Sequence, residues 1–132
     1  WARAEGRPVQ SLETVQEQTS YIDEIPLEQQ AKMIVEGITD YEKSKEEYDM
    51  LLKAYESQNI DAVYRYMLET SNDFKSFDEL LLKQRNRNWI PRMEDMAKQH
   101  PCFFAVGAGH LGGSEGVIVL LRSAGYTLDP VL

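Results

Sequence analysis

The sequence predicts an α/β (α+β) fold, helix-rich and with a few-stranded sheet, forming the C-terminal half of a larger mixed-sheet α/β domain. Three observations carry that reading. The apolar run Cys102-Phe103-Phe104-Ala105-Val106 is long enough for a buried strand and too short for a helix. From Thr14 to Gln99, N-cap signals and apolar residues at helical spacing recur with little interruption. Strand-like segments number about three, few for a sheet covered by so many helices. The start at Trp1, without an initiator Met or a signal-peptide core, also points to chain upstream.

In order, the first element is a short strand at Arg7–Glu13, where Val9 and Leu12 follow Gly6 and Pro8. Thr14 with Glu17 makes a capping box, and a helix follows to about Ile25. Pro26 opens a second helix, whose Leu27, Ala31, Ile34, Val35 and Ile38 predict a core-facing stripe. A polar helix over Asp40–Ser57 has Tyr41, Tyr48, Leu51, Leu52 and Tyr55 on its apolar side and a Lys43–Glu47 pair. Asn59 or Asp61 can cap the next helix, which carries Val63, Tyr64, Met67 and Leu68. Thr70 to Asp73 reads as a loop, and Ser76 with Glu79 as a second capping box ahead of Leu80, Leu81 and Leu82. Pro91 cannot donate a backbone hydrogen bond, so a kink or restart is expected there. His100-Pro101 ends the helix, the strand Cys102–Val106 follows, and Ser114 can cap a helix that Gly125 stops. Tyr126–Leu132 reads as a last strand. The 132 residues fit a single domain, without repeats or linkers.

Composition excludes several classes. A net charge of −8 argues against nucleic acid or an anionic membrane as partner. No stretch approaches the length of a transmembrane span. Cys102 is the single cysteine, so neither an internal disulfide nor a multi-cysteine zinc site can form; within an apolar strand it reads as a small hydrophobe.

The chemistry concentrates at the glycine loop. Gly107-Ala108-Gly109-His110 sets an imidazole, able to ligate metal or move protons, at the end of a strand, where open α/β sheets bind ligands. Gly107 and Gly109 let a ligand approach the backbone closely. The same residues, extended to Gly112, satisfy G-x-G-x-x-G, and Asp129 falls near the distance expected for a ribose-binding acid. A dinucleotide site is therefore one reading. It is weakened because only three residues follow Asp129 and most of the preceding chain is helical. The other reading takes Gly-x-x-His as the working unit.

Along its whole length the chain resembles the TraB/GumN (pheromone-shutdown, Tiki-like) family. The matching segments are Gly6-Arg7-Pro8-Val9-Gln10-Ser11-Leu12-Glu13-Thr14, Leu27-Glu28-Gln29-Gln30, Leu82 to Trp89, and Ala105 to Gly112 followed by Gly116, Leu120, Leu121, Gly125 and Tyr126. Ser11 stands where the family usually has Gly, and Gln84 where many members have Glu. The resemblance implies a central sheet and a site built from two Gly-x-x-His motifs, of which only the second is present here. It implies a metal-dependent peptidase-like hydrolase acting on a peptide or protein, in an extracytoplasmic setting. His110 and Glu13 would then hold a divalent ion (manganese, cobalt or zinc), with Arg85 and Asn86 entering the site from their helix and Arg85 orienting a carboxylate or an oxyanion. The missing N-terminal half, or a second copy in a homodimer, would complete the sheet. Taken as residues alone, Glu13 equally suits a solvent-facing carboxylate and Asn86 a local cap. The alternative function is non-catalytic capture of a peptide or small anion by the loop's N–H groups.

Overall fold

The computed structural model describes residues 2–70 and 78–131. Its α-helices are α1 (Val15–Asp23), α2 (Leu27–Thr39), α3 (Tyr41–Glu56), α4 (Ile60–Thr70), α5 (Gln84–Gln99) and α6 (Val117–Ser123). A π-helical turn, Glu79–Lys83, runs directly into α5, and a single 3₁₀ turn covers Ala108–His110. The loop expected after Thr70 and the Ser76 cap lie outside the described residues.

Local signals place several helix ends. Thr14 Oγ1 accepts from the Glu17 N–H while Glu17 accepts from the Thr14 N–H, the reciprocal capping box. Asn59 Oδ1 accepts from the Ala62 N–H and so caps α4. Gly125, at φ 96°, closes α6. The Tyr126 N–H reaches Leu121 O and the Gly125 N–H reaches Arg122 O, the paired bonds of a Schellman motif. α6 itself starts after Gly116 rather than at Ser114. Pro91 does not break α5, which runs through it with Trp89, Ile90 and Met93 buried on its inner face. These three with Val117 form a core cluster, against which Leu12, Phe104, Val106, Leu111, Leu120 and Leu121 pack.

The α/β expectation is overturned: no strand forms among the described residues, and the chain is helical with extended connections. Residues 7–13, 102–106 and 126–131 are strand-like in sequence but form no strand ladder. Cys102–Val106 even keeps the alternation of a strand, with Phe104 and Val106 turned toward the core and Phe103 89% exposed. Alternation records which side of an extended chain is covered. A strand also needs a neighbouring backbone to bond with, and that is a non-local condition. Cys102 is correspondingly exposed instead of buried.

The second correction concerns α2. Its apolar stripe was expected to face the core, yet α2 has no buried residue, and Leu27, Ile34, Val35 and Ile38 are all exposed. On α3, which packs against α4, Tyr41, Tyr48, Leu52 and Tyr55 are exposed as well, and Ala54 is the buried residue. The expected Lys43–Glu47 pair is present on the solvent side at 3.7 Å.

Candidate functional site

Four residues singled out from the sequence, Glu13, Arg85, Asn86 and His110, are brought into one connected cluster. Arg85, Asn86 and Trp89 project from the first turns of α5, where a spacing of four residues puts Arg85 and Trp89 on the same face. Glu13 reaches them from the extended segment before α1. His110 comes from the end of the 3₁₀ turn.

Glu13 and Arg85 form a fork-shaped ion pair. Arg85 Nε donates to both Glu13 oxygens at 3.1 Å each, and Nη2 donates to Oε1 at 2.5 Å. Arg85 Nη1 donates to Leu81 O at 2.9 Å, a carbonyl of the π-helical turn, so the guanidinium is held at both ends. Trp89 adds a further donor to Glu13, from Nε1 to Oε2 at 3.1 Å. The side chains of the pair are only 12% and 14% exposed, so they are poorly screened. Arg85 also lies over the Trp89 ring at 5.0 Å from its centroid, a cation–π contact.

Trp89 is the residue that sequence reasoning missed. Its ring lies 4.5 Å from that of His110, tilted by 44°, so one face of the indole supports the imidazole while its N–H holds Glu13. Its position four residues after Arg85 was the available signal.

Asn86 sets the chemistry of His110. It is 2% exposed, and its amide nitrogen donates to His110 O at 3.2 Å and to Glu115 O at 2.8 Å. Two carbonyls can be served only by the NH₂ end of the amide, which leaves Oδ1 facing His110 Nδ1 at 2.7 Å. Oδ1 can only accept, so Nδ1 must carry the proton. In the neutral ring the Nε2 lone pair is then free. His110 stays neutral because burial, and then the charge of Arg85, lower its pKa to about 4, against a smaller opposing effect of Glu13.

Gly109, Gly112 and Gly113 are packed closely against neighbouring atoms. A Cβ on Gly109 would fall 2.3 Å from Met67 Sδ, so this position faces α4 and not an open cleft. Gly112 is pressed against Ile60 O and Gly113, at φ 82°, against the Tyr64 ring. Gly107 has ordinary room: a Cβ there would meet His110 Cδ2 at 3.7 Å. Without strands the dinucleotide reading loses its sheet, and the seven-residue α6 begins only at Val117, beyond the glycine fingerprint. Asp129 sits exposed in the final extended segment.

The residues fit a metal only in part. His110 offers one ligand atom, Nε2, with Nδ1 braced as metal-binding imidazoles usually are. Glu13 does not fit as a ligand in this arrangement, because Arg85 and Trp89 already occupy both its oxygens. Among the described residues no three His, Cys, Asp or Glu side chains converge on a common point. A more distant network tethers the cluster: Arg87 bridges Glu79 and Glu115, tying the π-helical turn to the loop that carries Glu115. No helix among the described residues is long and apolar enough to cross a membrane.

No curated protein and no solved structure matches the chain. The sequence pattern of one family does, over residues 1–130, nearly the whole length. With that span matched, the chain belongs to the TraB/PrgY/gumN family.

Proposed function

We propose that the chain contributes to a metal-dependent hydrolase acting on peptide bonds, with His110 Nε2 as one ligand of a divalent ion. The observation that supports this most is the Asn86–His110 pair, which leaves Nε2 unprotonated and aimed by a buried amide. Magnitude decides between the two roles open to that nitrogen. A general base works best with a pKa near the working pH, and one near 4 makes a weak base. A ligand needs only to be free of its proton, a condition His110 meets throughout the neutral range. A bound divalent ion would supply a water acidic enough to attack a carbonyl near neutral pH. The chain's own residues do the rest: Asn86 fixes the tautomer, Trp89 walls the ring, and the Glu13–Arg85 pair holds Trp89. Glu13 and Arg85 are thus positioning residues in this reading.

Capture of an anion without chemistry is less well supported. Arg85 is already neutralised by Glu13, and the N–H groups of His110, Leu111 and Gly116 are spent on carbonyls of the loop itself.

Calorimetric titration with manganese, cobalt and zinc tests the proposal. Binding that is lost in His110→Ala, with the helical circular dichroism unchanged, is the expected result. No uptake of any of the three by the unaltered protein, or uptake indifferent to His110→Ala, would contradict it.

A further inference from the structure

Near the start of α5, Arg85, Asn86 and Arg87 follow one another, and successive residues of a helix point about 100° apart. Asn86 therefore turns inward and is buried, while Arg87 stays at the surface. Both nevertheless hold the same residue. The Glu115 carbonyl accepts from Asn86 Nδ2 at 2.8 Å, and the Glu115 carboxylate pairs with Arg87 Nη1. Arg87 Nη2 pairs in turn with Glu79, in the π-helical turn that runs directly into α5. Glu115 itself lies outside any helix, in a turn closed by the Gly116 N–H on Gly113 O. It is joined to α5 by Asn86 from the inside and by Arg87 from the outside.

We infer that Arg87, acting through Glu115, is a positioning residue that decides which nitrogen of His110 carries the proton. The inference deepens the hydrolase proposal, resting on its reading of Nε2 as the ligand atom, and names what keeps that atom bare. The two ends of a carboxamide are nearly equal in size, so Asn86 can be seated either way round and its partners choose. As seated, its NH₂ serves the carbonyls of Glu115 and His110, and its oxygen accepts from His110 Nδ1. Turned over, the NH₂ would donate to Nδ1 and drive the ring proton to Nε2, while the oxygen would face two carbonyl oxygens. Both carbonyls therefore oppose the turned-over amide. The Glu115 carbonyl makes the shorter of the two bonds, 2.8 Å against 3.2 Å for His110 O. Once Glu115 swings away, only the longer bond holds the amide, and the two seatings come near balance. Exposed ion pairs such as those of Arg87 contribute little to folding, so the fold should survive their loss. The ratio of two tautomers is more sensitive, because it answers exponentially to small differences.

The test is long-range ¹H–¹⁵N correlation of the His110 ring in the metal-free full chain at neutral pH, for Arg87→Ala, Glu115→Ala and Glu115→Gln. In both alanine variants the expected result is a shift of about tenfold in the tautomer ratio toward Nε2–H, the effect of one lost hydrogen bond, read from the averaged Nε2 resonance. Glu115→Gln, whose amide oxygen still accepts from Arg87, should keep the wild-type spectrum. Glu115→Ala removes the same contact from its other side, so it decides the matter if Arg87→Ala does not fold by circular dichroism. An unchanged Nδ1–H spectrum in either folded alanine variant would overturn the inference. So would a shift in Glu115→Gln as large as that in Glu115→Ala. Because the spectra are recorded without metal, failure of the protein to bind an ion would count against the hydrolase proposal and not against this one.

Discussion

At the scale of single residues, the identity of an amide decides what a histidine can do. Asn86 has two carbonyls to serve and one oxygen left over, and that oxygen dictates which nitrogen of His110 keeps its proton. The same burial has a consequence for stability. In the unfolded chain His110 takes up its proton near pH 6.5, while in the folded chain it resists until about pH 4. As pH falls through that window the unfolded state binds the extra proton, so folding loses free energy; the loss is about 3 kcal/mol once the folded pKa is passed. Denaturant melts of the wild type between pH 7 and pH 4 should show this decline, and His110→Gln should flatten it. A curve of unchanged slope in His110→Gln would mean that the titrating group lies elsewhere. Glu17, whose carboxylate is lowered to about 2 by Arg92 and the Thr14 cap, loses its contribution as pH falls from about 4.5 to 2, so it overlaps the acid end of this window and the comparison with His110→Gln is read above pH 5.

At the scale of elements, what could be read from the sequence was what neighbours in the chain determine. The Thr14–Glu17 capping box, the Asn59 cap and the Gly125 stop are local arrangements, and each stands where its residues predict. Strands are different. The alternation in Cys102–Val106 is real, yet no ladder accompanies it, because pairing depends on backbone brought from far away in sequence. The stripe on α2 failed for a related reason: periodicity reveals that a helix has an apolar face but not what meets it. Of the cluster, His110 was legible from the glycine loop itself and Glu13, Arg85 and Asn86 through family resemblance, whereas Trp89, read only as part of a motif, acquires its role from contacts to both Glu13 and His110. The glycine loop was legible as special, but the packing of Gly109, Gly112 and Gly113 against α4 was not. A Cβ on Gly112 would stand 2.7 Å from Ile60 O and 2.9 Å from Tyr64 Cβ, and backbone cannot yield as a side-chain tip can. Gly112→Ala should therefore cost about 1–3 kcal/mol by forcing the loop off α4. A thermal midpoint equal to that of the wild type would show that close packing does not explain this glycine.

At the scale of the whole molecule, the chain divides its labour between two ends. One end holds the core of α5 and α6, with the Glu13–Arg85–Trp89–His110 cluster on its shoulder, and is tied by buried or half-buried polar contacts. The other, α2 and α3, carries its apolar residues outward. The proposed function turns on the protonation state of one ring, and long-range ¹H–¹⁵N correlation of the His110 imidazole at neutral pH reads it directly. The expected spectrum is that of a neutral ring with the proton on Nδ1 and a bare Nε2, whose resonance moves when zinc is added. A proton found on Nε2, or a charged ring at neutral pH, would contradict it.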